Sequence, residues 1–569
     1  MGRMGREIQV RWRALKQHVT VPHMRKSLVG LGAALAVCLL VQAAGPEKID
    51  LGILHRIRSE AFGANSQVMD TAFYLTDVHG PRLTGSPGAK AAGEWAVKRL
   101  GEWGLSNVKL ESWGPFGRGW SCTHFSAEMK EPEFQPLIGY AQPWSPGTDG
   151  PVSGQAILAV IAGPADLENF KGKLRGKIVL TATPHRSEMV VDPYAHRLTD
   201  AELADAATAP DPTFGNPAAL PLGFMRPGAA VAAAAGRGGR GGPGAGRGGA
   251  GRGFRTQLNQ FWKDEGALLI LSPGNGVDGG AVMGGAAGSQ NPDEPLPPPS
   301  VLITNEHYNR IARLLDKNIP VTLAFDIAAK FTEPADSFNV IAELPGADPN
   351  AGMVMVGGHI DSWTGGTGAT DNAAGAAVSM EVLRILKSLN VKLPRTVRLG
   401  LWTGEEQGLL GSRAYVKEHF ADPADMKLKS EHAKLAGYYN LDNGGGRIRG
   451  VYIQDNDEIR PIFAAWTEPM KDLGATTLTI RNTGSTDHMA FDAVGLPGFQ
   501  FIQDPLEYGT RTHHSNMDVF DRLQAGDLEQ ASAVMAWFVY NTAIRPDPLP
   551  RKPLPKARGT AGRGGAPAE

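Results

Sequence analysis

Val397-Arg398-Leu399-Gly400-Leu401-Trp402-Thr403-Gly404-Glu405-Glu406 runs from an apolar, strand-like segment straight into two adjacent carboxylates. Side by side at a strand end, two carboxylates repel each other and add little to a sheet. Their value there is chemical: one can bind a metal while the other moves protons. Upstream, His359-Ile360-Asp361 and Asp371-Asn372 also follow or closely trail strand-like stretches. The pattern points to a metal-dependent hydrolase.

Working outward, the chain from 335 onward alternates strands and helices. Met353 to Val356, Val397 to Trp402, Leu435 to Leu441 and Gly498 to Ile502 read as strands. Ala373 to Leu389, Gly411 to His419 and Ala525 to Tyr540 read as helices. Such alternation predicts an α/β fold, a sheet covered on both faces with active-site residues on loops at strand ends. Residues 46–119 form an α-rich opening, with helices over Asp70 to Thr76 and Ala89 to Trp103 and an edge strand at Val108 to Trp113. The turn-rich loop Gly80-Pro81-Arg82-Leu83-Thr84-Gly85-Ser86-Pro87-Gly88 lies between the two helices. Between 120 and 332 short β-like runs such as Ala156 to Ile161 and Lys177 to Ala182 predict a β-rich insert, with a helix at Glu306 to Asp316. Within it, Pro227 to Gly253 is nearly all Gly, Ala, Arg and Pro and cannot bury apolar surface, which predicts a disordered loop. Residues 333–545 form the expected catalytic domain, and the Pro/Gly-rich tail at 546–569 is expected to be disordered.

A chain of 569 residues is too long for one ordinary domain, and 42% hydrophobic residues suffice for a sizeable core. A net charge of −1 gives no general attraction to nucleic acid or acidic membranes. Residues 1–45 read as an N-terminal extension and export signal. Arg25-Lys26 precede an apolar run from Leu28 to Val41, and the small residues Ala43-Ala44-Gly45 follow. That run is short for a membrane span of about 20 residues, so a membrane anchor is expected only if the segment stays uncleaved. Met24 is a candidate true start. Cys38 falls within this segment and leaves Cys122 alone, so neither an intrachain disulfide nor a Cys-based zinc cluster is expected.

Any metal site must then use His and carboxylates. His359, Asp371, Glu406, Asp442 and His514 are all hard or borderline donors, and their mix suits a pair of Zn²⁺ ions bridged by one carboxylate. Each residue alone has a structural reading. Asp371-Asn372 before a helix is an N-cap pattern, Asp442-Asn443-Gly444 a turn, and Glu405-Glu406 a helix start. Their joint occurrence in this order favours the metal.

The segments His359-Ile360-Asp361-Ser362-Trp363, Gly368 to Gly375 and Gly404 to Ser412 resemble the co-catalytic zinc exopeptidases, which include bacterial leucyl aminopeptidases. Asn440-Leu441-Asp442, Ser485 to Phe491 and Thr512 to Asp518 extend the likeness in order, and details such as His513-His514-Ser515 are similar to the carboxypeptidase Q branch. The resemblance implies a mixed sheet sandwiched by helices with an inserted protease-associated domain, and two Zn²⁺ per chain. By it, His359 and Asp442 hold one ion, Glu406 and His514 the other, and Asp371 bridges them. Between His513 and His514 it favours His514, four residues before Asp518. It makes Glu405 the general base, Asp361 the residue orienting His359, and Asp487 and His488 candidates for lining the substrate site.

The expected activity is aminopeptidase or dipeptidase hydrolysis beside a free N-terminus, in an exported, periplasmic or secreted protein, with a homodimer implied by resemblance alone. Two alternatives share the fold: a catalytically inactive receptor or binding module, which would lack ligands, and a glutaminyl cyclase-like enzyme, which would lack the insert. Arg237, Arg240, Arg247 and Arg252 are spaced like RNA-binding segments, but balanced charge and export make nucleic acid an unexpected partner.

Overall fold

The computed structural model describes residues 47–184, 189–209, 222, 249–274 and 279–559. The predicted export signal, the Gly/Arg loop up to residue 248 and the last ten residues lie outside these. Among the described residues no helix is long and apolar enough to cross a membrane.

Within Ile49–Glu569 the strands form two eight-stranded sheets. The first runs in the order Ser106–Gly117, Ala335–Leu344, Thr396–Trp402, Met353–His359, Leu435–Asn440, Gly498–Gln503, Ile448–Tyr452, Thr477–Thr479. Its four central strands, from Thr396–Trp402 to Gly498–Gln503, are mutually parallel. Parallel strands covered on both faces read as continuous apolar runs, and every residue of Met353–His359 and Leu435–Asn440 is buried.

The pleat sends alternate side chains to opposite faces. Val354 and Val356 enter the core beneath the helices Ala374–Ser388 and Ala525–Ile544, whereas Met353 and Met355 pack with Trp402, Tyr415 and Phe491 on the other face. Each such aliphatic burial stabilises by about 1.5–3 kcal/mol. The predicted strands and helices of this half form where expected, to within a few residues. Ala335–Leu344 escaped notice because Asp336, Ser337, Asn339 and Glu343 break up its apolar pattern.

The second sheet draws its strands from Trp120–Glu131 to Thr322–Phe331. Val152–Leu158, Ile178–Leu180, Leu269–Pro273 and Ser300–Ile303 are parallel, and the helices Gly249–Asp264 and Asn305–Asp316 pack with this part of the chain. The first of these helices also takes up residues 249–253, the end of the segment expected to be disordered. The chain leaves the first sheet after Gly117 and returns at Ala335, and these two residues are register partners.

The tail corrects a further expectation. Leu549 is buried, Arg395 Nη2 donates to the Pro546 carbonyl at 2.9 Å, and Arg551 Nη2 donates to the carbonyls of His432 and Leu435 at 2.9 and 2.7 Å. Proline-rich composition lacks a periodic signal, yet its carbonyls remain good acceptors for arginine.

Candidate metal centre

The parallel strands deliver their chemistry at one edge, as open α/β sheets do. His359 is the last residue of its strand, Glu405 and Glu406 follow Trp402 by a short turn, and Asp442 lies just beyond Asn440. The turn to the carboxylate pair passes through Gly404 at φ +73°, where a Cβ would crowd Leu410 and the Trp113 ring.

Asp371 reaches the site because a neighbour takes the capping work expected of the pair. Asn372 Oδ1 accepts from Gly375 N–H at 2.9 Å and its Nδ2 donates to the Leu441 carbonyl at 2.8 Å. The Asp371 loop is held by Asp518, whose carboxylate accepts from the amides of Thr370 and Asp371 at 2.7 and 3.1 Å. Asp371 then presents one oxygen to each imidazole: Oδ1 lies 3.3 Å from His359 Nε2, and Oδ2 lies 3.1 Å from His514 Nε2. Asp442 Oδ1 is also 3.3 Å from His359 Nε2, and Glu406 Oε2 is 3.0 Å from His514 Nε2. The potential ligand atoms of His359, Asp371 and Asp442 lie within 4.8 Å of one another, as do those of Asp371, His513 and His514.

His514 has φ +55°, a left-handed conformation that costs roughly 1–2 kcal/mol in a non-glycine residue. Its ring stacks on His513 at 3.7 Å, and His513 Nε2 is 3.8 Å from Asp371. Asp361 faces the ring nitrogen of His359 that points away from the cluster. Its backbone carbonyl lies 3.0 Å from Nδ1, while its carboxylate Oδ1 stands at 3.4 Å. Asp361 Oδ2 instead accepts from Thr84 Oγ1 at 2.7 Å and from Gly404 N–H at 3.1 Å. Asp487 is buried near the cluster, within electrostatic reach of His359, Asp442 and Asp361. His488 takes a structural position: its Nε2 faces Gln454 Nε2 at 2.9 Å and the Thr483 carbonyl at 3.1 Å.

The electrostatics show a surplus of buried negative charge. Glu406 Oε1 is buried without a hydrogen-bond donor, Asp361 Oδ1 and Asp371 Oδ2 have imidazole nitrogens of His359 and His514 as neighbours, and Asp487 is buried beside Ser412. Buried anions need compensation, so in the ion-free protein several groups hold protons. Burial, with Asp442, Asp487 and Glu406 adding to it, pushes Glu405 well above the usual carboxylate range. Burial likewise raises Glu406 and Asp487 to about 7. Burial works against charge on Asp371, but His359 and His514 hold it well below its ordinary value. Burial opposes charge on His514 too, yet Glu406 and Asp371 bring it up to about 10. Three carboxylates, Asp371, Glu406 and Asp442, with the two imidazoles of His359 and His514 aimed into them, make a donor set that fits divalent cations, zinc above all.

An α/β sheet with a His/carboxylate cluster at the carboxyl ends of its parallel strands is suited to metal-assisted hydrolysis. Residues 339–539 match the model of peptidase family M28. The mouse protein carboxypeptidase Q is 27% identical over 479 residues, covering 84% of this chain and 86% of that protein. A peptidase M28 precursor from Shewanella amazonensis has a similar fold, with TM-score 0.61, 24% identity, and coverage of 89% of this chain and 98% of that one. The zinc aminopeptidase BSAP from Bacillus subtilis superposes with TM-score 0.50 at 18% identity, covering 83% of this chain and 94% of that one.

Arg82 and Thr84 also belong to the site's surroundings, and residue type alone gave no sign of it. The signals were the turn-rich character of Gly80 to Gly88 and the family resemblance, which extends over Gly80 to Ser86.

Proposed function

We propose that the chain is a di-zinc exopeptidase that hydrolyses the peptide bond next to a free N-terminus, as an aminopeptidase or dipeptidase. The observation that carries this reading is Asp371, whose two oxygens address two imidazoles, each backed by a further carboxylate. His359 and Asp442 would hold one ion, His514 and Glu406 the other, with Asp371 between. When bound, the ions supply Lewis acidity that lowers the pKa of water toward about 7 and polarises a carbonyl.

Glu405 is the proton carrier. It shares the turn with Glu406, yet no ion pair engages its carboxylate among the described residues, and burial makes that carboxylate a stronger base. A group of this kind accepts a proton from the attacking water and returns it to the leaving amine. Asp361 and Thr84 keep the His359 ring and the Gly404 turn in place. The second sheet is read as a protease-associated-like insert, and export as the role of the segment before residue 46.

Profiling the purified protein against unblocked dipeptides, longer peptides and aminoacyl anilides tests the reading. Hydrolysis is expected, lost on chelation and restored by Zn²⁺. Cleavage of N-terminally blocked peptides at equal rates, or full activity after chelation, would refute it.

A further inference from the structure

Arg82 is fully buried. Its guanidinium makes four hydrogen bonds, all to main-chain carbonyls. Nε donates to Ile360 at 2.6 Å, Nη1 to Leu75 and Thr367 at 2.7 Å each, and Nη2 to Gly368 at 2.8 Å. Its own amide donates to Ser362 Oγ at 3.1 Å, and its carbonyl accepts from Ser362 N–H at 3.2 Å. A buried arginine is ordinarily paired with a carboxylate in a fork geometry. Here the charge is offset at longer range by Asp518, Asp361, Asp371 and Glu406.

The acceptors are not scattered. Ile360 and Ser362 flank Asp361 just after His359, and Thr367 and Gly368 begin the loop that carries Asp371. Two residues along, Thr84 Oγ1 donates to Asp361 Oδ2 and accepts from Gly404 N–H at 2.8 Å, next to Glu405. One short turn therefore touches the loops bearing His359, Asp371 and the carboxylate pair. The fit is close, because a Cβ on Gly368 would stand 3.0 Å from Arg82 Nη2 and nearer still to Ser362.

We infer that Arg82 is a positioning residue: its guanidinium clamps the His359 loop to the Asp371 loop and so sets the spacing of the paired metal site. This rests on the di-zinc reading above. Charge alone does not do the work, since the rigid fork spans four carbonyls that a lysine ammonium, a compact point donor, cannot reach together. Each loop amide drawn to Arg82 or Asp518 is one that thermal motion would otherwise release.

The test uses the full-length protein, with Zn²⁺ alone as the metal probe. R82K and R82Q are each expected to lower Zn²⁺ affinity at least tenfold in chelator competition. Both should lower kcat at least tenfold while KM stays within threefold. An R82K variant with Zn²⁺ affinity and kcat within twofold of wild type overturns the clamp, whatever R82Q does. Wild-type protein that takes up no Zn²⁺ overturns the di-zinc reading itself, so the two failures are separable. Should both variants fail to fold, hydrogen exchange on chelated wild-type protein decides. The clamp predicts that amides of 360–371 stay at least a hundredfold slower than exposed loops, and exchange at loop rates overturns it.

Discussion

Glu406 stands 3.0 Å from the His514 ring, whereas Glu405, one residue earlier on the same turn, is engaged by no ion pair among the described residues. That difference divides ligand from base. Glu405→Gln keeps the volume and removes the proton carrier, so kcat is expected to fall by about 10²–10⁴ while bound zinc is retained, measured by metal analysis and peptide hydrolysis. The two adjacent histidines should separate in the same way. His514→Ala is expected to lower zinc content, and His513→Ala to leave it near the wild-type level. Equal loss from both variants would place His513 among the ligands, a position its 3.8 Å distance from Asp371 does not favour over the 3.1 Å of His514. The identities of these donors were legible in the sequence because each follows a strand or a glycine-rich turn. The sharing of Asp371 was implied only by the family resemblance, since no local pattern says which way a carboxylate points.

The helix Ala374–Ser388 shows how an element serves the site. Its first turn, Ala374-Gly375-Ala376-Ala377, is made of small residues and lies against the end of the strand that leads to Asp442. A Cβ on Gly375 would meet the Leu441 carbonyl at 2.0 Å and the Asn372 amide at 2.5 Å. Gly375→Ala is therefore expected to destabilise by about 1–3 kcal/mol, as overpacking does, and to displace the segment that carries Asp442. Urea unfolding reads the first effect and zinc affinity the second. A stability unchanged from wild type would mean that the helix can shift without cost. Most elements of this half were legible, since buried parallel strands and amphipathic helices leave strong periodic signals. Ala335–Leu344, the helix Gly249–Asp264 and the packed part of the tail were not, because polar interruptions, glycines and prolines hide their periodicity.

At the scale of the molecule, the surplus of buried carboxylates ties stability to pH and to metal. Glu406, Asp487 and Asp518 are raised to about 7 in the folded ion-free protein, by burial above all. A carboxyl raised in this way contributes stability that is fully present below its unfolded value near 4 and is lost as pH rises through 7. His513 and His488, lowered by burial to about 3 and about 4, act in the opposite sense, but only as pH falls below about 6.5. Between pH 6.5 and 8 the carboxyls and His514, raised to about 10, act in the same sense and decide the sign. The chelated protein is expected to have a lower Tm at pH 8 than at pH 6.5. With saturating Zn²⁺ the trend should reverse, because ligands bind metal deprotonated and binding adds to folding stability. Parallel trends with and without zinc would mean that the carboxylate cluster is not the metal site.

By itself, the sequence determined the donor types, their order and their places just past strand ends. These follow from propensities and periodicities that act over a few residues. Only the tertiary structure decided which loops meet. The bond from Arg82 to the Gly368 carbonyl joins residues 286 apart in the chain, and His359 and Asp442 are 83 apart. Contacts of that range depend on the strand order of the sheet and on the helices packed against it, which no local stretch encodes. The Glu405-Glu406 pair was visible as chemistry, its division into base and ligand was implied by resemblance, and the fold adds that Glu406 stands 3.0 Å from His514.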